Sequence, residues 1–251
     1  MPDLYAPLIE RTPHPAKPPV LLVCEHASNH IPAAFANLGL PQSTLQTHIA
    51  WDPGAQGVAR ALRAALNADL VAGSVSRLLY DCNRPPESPG AMPETSEIYE
   101  IPGNKALTAA QRAARTAAIY TPFRAALAEL MDQHPTGIMV TVHSFTPLYH
   151  GQPRRCEIGI LHDTDTRLAD ALLAQPPAEF PHKLERNVPY SASDGVTHTL
   201  KTTAVARGWP NVMLEIRNDL IATAPQQHTM ALALAQLLTK AIKTLKEAGN
   251  V

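Results

Sequence analysis

The chain has 251 residues, with 21 Lys and Arg against 22 Asp and Glu, a formal net charge of -1 and 45% hydrophobic residues. That balance, with no basic run, excludes the electrostatic footprint of a nucleic-acid binder or of a protein held on an anionic membrane. No apolar stretch approaches the roughly 20 residues of a membrane span. The length suits one core, and a single domain over 1–251 is expected.

The first 18 residues read as an extended lead-in, too polar and proline-rich for a secretory signal, so the cytoplasm is the expected compartment. PVLLVC at 19–24 is a continuous aliphatic run, the pattern of a strand covered on both faces, and it ends in Glu25-His26. Asn29-His30-Ile31-Pro32 turns the chain into a short helical stretch ending near Gly39. Asp52-Pro53-Gly54 opens a second helix, with Asp52 read as the N-cap and Pro53 at the first helical position. Val58, Ala61, Leu62, Ala65 and Leu66 recur behind it at helical spacing. Residues 69–75 and 77–80 read as strands. A loop rich in Pro, Glu and Ser runs from Asn83 to Leu107, a length that marks a functional or mobile segment.

A helix is expected from Thr108 to about Gln133, broken or kinked at Pro122, with Arg112, Arg115 and Arg124 on a solvated face. GIMVTVH at 137–143 matches the first strand and ends on a second histidine, His143. Residues 156–161 form another strand and 166–174 a short helix. A turn at Asp194-Gly195 precedes a helix over about 197–207. NVMLEI at 211–216 is a last buried strand carrying Glu215, and residues 224–248 close the chain as an amphipathic helix. Strands alternating with helices make this an α/β protein with a mostly parallel or mixed sheet.

Open α/β sheets place their ligands just outside the strand carboxyl ends, so His26 and His143 are expected in one crevice. A single buried histidine commonly does no more than donate to a backbone carbonyl. Two at strand ends, with Glu25, Asp52 and Glu215 available, fit a mixed imidazole and carboxylate site for Zn2+. Such a site needs neutral imidazoles, one carboxylate and an open position for water, whose pKa the metal lowers. Glu215 interrupts an apolar strand. It is either the general base for that water or half of an ion pair with an arginine such as Arg217.

The three cysteines form no C-x-x-C pair, which fits a reducing compartment, and Cys24 reads as a packing residue rather than a nucleophile. Asn83-Arg84, with Arg77 upstream and Arg217-Asn218 beyond Glu215, offer guanidinium forks that suit a carboxylate on a small-molecule substrate. Ser144 reads as a supporting donor, since no G-x-S-x-G elbow makes it a nucleophile. Tyr190, Ser193 and Asp194 lie in a loop placed to close over the site.

The segments CEHASNHIP, HIAWDPGA, SRLLYDCNRPP, VTVHSFTP, NVPYSASDGVTHTL and MLEIRNDLI, spread from residue 24 to 221, resemble successive blocks of the N-formylglutamate amidohydrolase family in the same order. The resemblance implies a three-layer α/β/α sandwich of the phosphorylase/hydrolase-like kind, related to zinc carboxypeptidases. It implies His26 and His143 as metal ligands with Asp52 as the carboxylate between them in the chain, Asn83-Arg84 as the carboxylate anchor, and Glu215 as the catalytic base. The carboxypeptidase-like pattern H-x-x-E would put a carboxylate at position 29, where this chain has Asn29, so the third ligand stands between Asp52 and Glu25. EHASNHIP also differs from the P-H-S-G type of first block in the histidine-degrading members. The expected activity is metal-dependent removal of a formyl or other small acyl group from the nitrogen of an acidic amino acid. The alternatives are a carboxypeptidase-like peptidase on a small peptide or cell-wall fragment, and a binding protein with an inherited pocket.

Overall fold

A computed structural model describes residues 5–174 and 180–251 of the chain. The first four residues of the expected lead-in lie outside the described residues. Seven strands form one sheet: β1 (Leu8–Glu10), β2 (Val20–Cys24), β3 (Asp69–Ala72), β4 (Ile138–Phe145), β5 (Ile158–Leu161), β6 (Leu184–Arg186) and β7 (Asn211–Arg217), in the order β1-β3-β2-β4-β7-β5-β6. The four central strands β3, β2, β4 and β7 are mutually parallel. β1 pairs antiparallel with β3, and β5 pairs antiparallel with β7.

Every residue of β2 and β4 is buried, as expected of strands covered on both faces. Alternation along the strands divides the core in two. Leu22, Leu70, Val140 and Leu214 pack on one face beneath α1 (Ala55–Leu66), α4 (Arg167–Ala174) and α6 (Ala224–Glu247). Val23, Val71, Met139 and Met213 pack on the other against Phe123, Leu127 and Met131 of α3 (Thr121–Met131), which follows α2 (Ala109–Arg115), and Leu200 of the short α5 (His198–Thr202). The result is the expected three-layer α/β/α sandwich. Each fully buried Leu or Ile contributes roughly 1.5–3 kcal/mol relative to exposure, so both layers are held by the sheet.

Capping boxes start two helices: Thr108 with Gln111 before α2, and Thr223 with Gln226 before α6. The break expected at Pro122 takes the form of a π-helical turn over Thr116–Tyr120 between α2 and α3. That wider turn precedes the proline, which then begins α3, where its missing N–H costs little.

Several expectations are corrected. Residues 77–79 form a turn, not a strand: Ser76 accepts Leu78 N–H on its hydroxyl and Leu79 N–H on its carbonyl, curling the chain. Leu78, Leu79 and Tyr80 are buried as core residues of that turn, which explains their apolarity without a ladder. Arg115 is not solvated but buried, donating to Asn104 Oδ1 at 2.6 Å and to Gly103 O, and so ties down the 83–107 loop. Arg124 donates to Thr202 O, joining α3 to α5. The loop itself carries short 3-10 turns at Pro89–Ala91 and Pro102–Asn104 and a small hairpin of Thr95–Ser96 with Tyr99–Glu100. Edge strands β1 and β6 had no counterpart in the sequence reading, because three-residue edge strands carry too little periodicity to register.

Candidate active site

At the carboxyl ends of the parallel strands, a cavity of about 700 Å³ is lined by His26, Asp52, Arg77, Asp81, Arg84, His143, Arg154, Tyr190 and Glu215, among others. The period of two places two of these side chains. His143 follows Met139 and Thr141 on the α3-facing side of β4, and Glu215 follows Met213 on the same side of β7. His26 stands two residues past the end of β2. The two imidazole rings meet edge to face with centroids 4.9 Å apart.

Asp52 reaches the rings because it is not the cap of α1. The N-cap is Gly54, in the left-handed conformation at φ 83°. A Cβ there would also stand 2.4 Å from Ile221 O. This glycine lets the chain reverse between Asp52 and α1, so the Asp52 carboxylate turns inward instead of bonding to the helix's first N–H groups. Asp52 N–H donates to His26 O at 2.9 Å, and Ser144 N–H approaches Asp52 Oδ2 at 3.3 Å. Ser144 Oγ donates to Pro53 O, which pins the same loop.

Asp52 Oδ2 lies 3.3 Å from His26 Nδ1 and 2.9 Å from His143 Nδ1. Each Nε2 meets a second carboxylate, Asp81 on the cavity wall and Glu25 outside it. His26 Nε2 is 2.7 Å from Asp81 Oδ1, and His143 Nε2 is 3.1 Å from Glu25 Oε2 in an ionic contact without hydrogen-bond alignment. One ligand atom from each of His26, Asp52 and His143 falls within a 4.8 Å cluster, and all three residues are buried. A carboxylate behind each ring orients the imidazole and makes it a better ligand. Two imidazoles and one carboxylate are a donor set that zinc takes, so these residues fit a divalent metal. Glu25, the other candidate ligand, lies behind His143 and does not line the cavity.

Charges on these groups are strongly displaced. Burial disfavours the Asp52 carboxylate, but His26 and His143 outweigh it and hold the group well below the usual carboxylate range. Asp81 is held down in the same way, by His26 and Arg77 against burial. Burial pushes the two imidazoles down while the surrounding carboxylates push them up, and both finish above their ordinary value, His143 most strongly. Glu215 goes the other way. Burial, with Asp52 adding to it and His143 opposing, pushes its carboxyl up to about 7, and its Oε2 has no hydrogen-bond partner among the described residues.

The arginines divide. Arg77 bridges Asp81 Oδ2 at 2.8 Å and Asp52 Oδ1 at 3.5 Å, so its charge is largely answered within the site. Asn83 spans to the 196–199 segment, donating to Val196 O and accepting Thr199 N–H. Arg84 lines the cavity, donates through Nη1 to Asp194 O and Gly195 O, and has Nε 4.0 Å from Asp81 Oδ2, leaving Nη2 for other partners. Arg217 does not line the cavity. It pairs with Asp219 at 2.8 Å and donates to Arg154 O. Tyr190 and Asp194 line the cavity wall, whereas Ser193 bonds to Ser191. Cys24 is buried in the core, its thiol pushed up by burial, which suits packing and not nucleophilic attack.

Two residues of the site went unrecognised in the sequence. Asp81 ends the buried run LLYD, and a carboxylate interrupting apolar residues is the same signal that marks Glu215. Arg154 sits in a polar loop with no periodicity to single it out.

The family model of N-formylglutamate amidohydrolase matches residues 18–222. A gene product of Agrobacterium tumefaciens with a crystal structure is 51% identical, with 96% of each chain covered and a TM-score of 0.92. The crystal structure of N-formylglutamate amidohydrolase from Ralstonia eutropha JMP134 is 19% identical, covering 97% of this chain and 99% of its own at a TM-score of 0.66, a likeness of fold. No curated protein sequence matches the chain.

Proposed function

The chain belongs to the N-formylglutamate amidohydrolase family and is thus an amidohydrolase, and on that premise we propose that it removes a formyl or other small acyl group from the nitrogen of an acidic amino acid, using Zn2+ held by His26, Asp52 and His143. The observation that carries this reading is the convergence of both imidazoles on Asp52 with Glu215, a buried carboxyl near neutrality, facing the same cavity.

A divalent cation at these ligands supplies Lewis acidity, polarising the amide carbonyl and making water more acidic. Glu215 then serves as general base. Burial raises its carboxyl above the ordinary value, which suits a group that takes a proton from the attacking water and returns it to the departing amine nitrogen. Asp81 and Glu25 hold the two rings through Nε2, which leaves each Nδ1 beside Asp52. Arg84 holds the α-carboxylate of the substrate through its remaining donors, and Arg77 fixes the Asp52 and Asp81 carboxylates around the rings.

One observation favours a longer substrate as a second reading. A neighbouring chamber of about 470 Å³ shares Arg77, Arg84, Tyr149 and Tyr190 with the cavity and runs on to His48, Ser96 and Glu97. That space suits a peptidyl group in the place of the formyl group, as a carboxypeptidase-like peptidase would need.

The test is a hydrolysis screen of the zinc-loaded chain with N-formyl-L-glutamate, N-acetyl-L-glutamate, N-formyl-L-leucine and a set of dipeptides. Release of formate from N-formyl-L-glutamate, lost on chelation and regained with Zn2+, is expected. Hydrolysis of dipeptides alone would move the assignment to the second reading. Absence of any chelator-sensitive hydrolysis would remove both.

A further inference from the structure

Arg154 is held as a fixed cation on the wall of the catalytic cavity, with no carboxylate partner among the described residues. Its guanidinium carbon stands 4.3 Å from the Tyr149 ring centroid, 5.0 Å from that of Tyr190 and 5.5 Å from that of Phe145. Its backbone is fixed from both sides: its N–H donates to Pro147 O at 2.8 Å, and Arg217 donates to its carbonyl at 3.3 Å. The one side-chain hydrogen bond it makes among the described residues runs from Nη1 to the Tyr190 hydroxyl at 3.0 Å. A guanidinium has five N–H donors, so most of this fork is available to a ligand.

We propose that Arg154 is the specificity-determining residue that receives the side-chain carboxylate of an acidic N-acyl amino acid, while Arg84 takes the α-carboxylate. The inference rests on the proposed amidohydrolase reading for the identity of the substrate, and on geometry for the residue. Of the three cavity arginines, Arg77 is already paired with Asp52 and Asp81, and Arg84 lies 4.0 Å from Asp81 and is partly engaged by backbone carbonyls. Arg154 alone faces the cavity without an acidic neighbour in the described residues. The aromatic cage stabilises the cation when water is displaced and immobilises a long side chain before the ligand arrives. A caged, planar fork matches a carboxylate in two parallel bonds, which an ammonium group at the same place would not. Arg217 belongs to this device indirectly, as the group that holds the Arg154 carbonyl.

The test uses the zinc-loaded full chain and its R154Q and R154K variants, with melting temperature and zinc content recorded for each. The readout is the ratio of kcat/KM for N-formyl-L-glutamate to that for its neutral isostere N-formyl-L-glutamine. Losing a charged hydrogen-bond partner changes that ratio by about 10- to 100-fold, and R154Q is expected to lower it by that amount, with R154K between the two. A fall in both substrates with the ratio unchanged would reduce Arg154 to a structural role and overturn the proposal. Binding of glutarate against butyrate, measured by calorimetry, gives a reading independent of turnover. If the wild type hydrolyses no N-acyl amino acid, the functional reading fails. Loss of the glutarate preference in R154Q would then still support the anchor, and an unchanged preference would overturn it. If R154Q does not fold, R154K decides by the same two measurements.

Discussion

Glu215 stands in register with His143 across the parallel pair of β4 and β7. The pairing puts a buried carboxyl and a buried imidazole side by side on one face of the sheet, although 71 residues separate them in the chain, as their register shows. Their roles differ. His143 is clustered with His26 and Asp52, whereas Glu215 Oε2 is left without a hydrogen-bond partner among the described residues.

Glu215→Gln is expected to lower kcat by about 10²- to 10⁴-fold, the range for loss of a general base, while zinc is retained. His143→Ala is expected to lose both activity and zinc. Metal analysis beside a formate-release assay separates these outcomes. Equal zinc loss in the two variants would make Glu215 a ligand.

The raised carboxyl of Glu215 also carries a stability consequence for the metal-free protein. Its ordinary value of 4.5 is raised to about 7, so between those two pH values the folded chain keeps a proton that the unfolded chain has released. Stability from this group is therefore fully present below 4.5 and lost as pH rises through about 7. At about 1.4 kcal/mol per pKa unit the loss is at most about 3.5 kcal/mol. Glu215→Gln should consequently melt higher than the wild type at pH 8 after chelation, and about equally at pH 4. A thermal melt series on both proteins in chelator checks this, and a lower melting temperature for the variant at pH 8 contradicts it.

Metal uptake should expel protons. His26 and His143 both sit above their ordinary value because carboxylates surround them, and a metal needs a deprotonated nitrogen on each ring. Zinc affinity should thus fall steeply as pH drops from 8 to 6. Calorimetry in two buffers of different ionisation heat counts the protons released, and a count of zero near pH 6.5 would show that the rings are neutral before zinc arrives.

Asp81→Asn and Glu25→Gln each remove a carboxylate from behind a ring, and such losses typically weaken metal affinity by about 10- to 100-fold. Competition with a chromogenic chelator measures it. Affinity unchanged in both variants would mean that the rings are held by packing alone.

Gly54→Ala should be destabilising well beyond an ordinary surface change. The site demands φ 83°, and the added Cβ meets Ile221 O at 2.4 Å. Since the same turn aims Asp52 at the rings, zinc affinity should fall together with the melting temperature. A variant that melts lower but binds zinc normally would separate the turn from the site.

Residue pattern alone was enough to show the alternation of strands and helices, the two histidines at strand ends and the anomalous Glu215, because burial on both faces leaves an uninterrupted apolar run in which a polar residue stands out. Motif blocks added the family. Only the folded chain decided that Asp52 faces the rings while Glu25 lies behind one of them, since both are acids near the same strand and the difference lies in a left-handed turn at Gly54. The turn at 77–79 and the burial of Arg115 were equally hidden, because an apolar run states that residues are covered and not by which conformation. Arg154 was illegible for the deepest reason: its cage draws on Phe145, Tyr149 and Tyr190, residues that share no period and meet only through the closing of loops over the sheet.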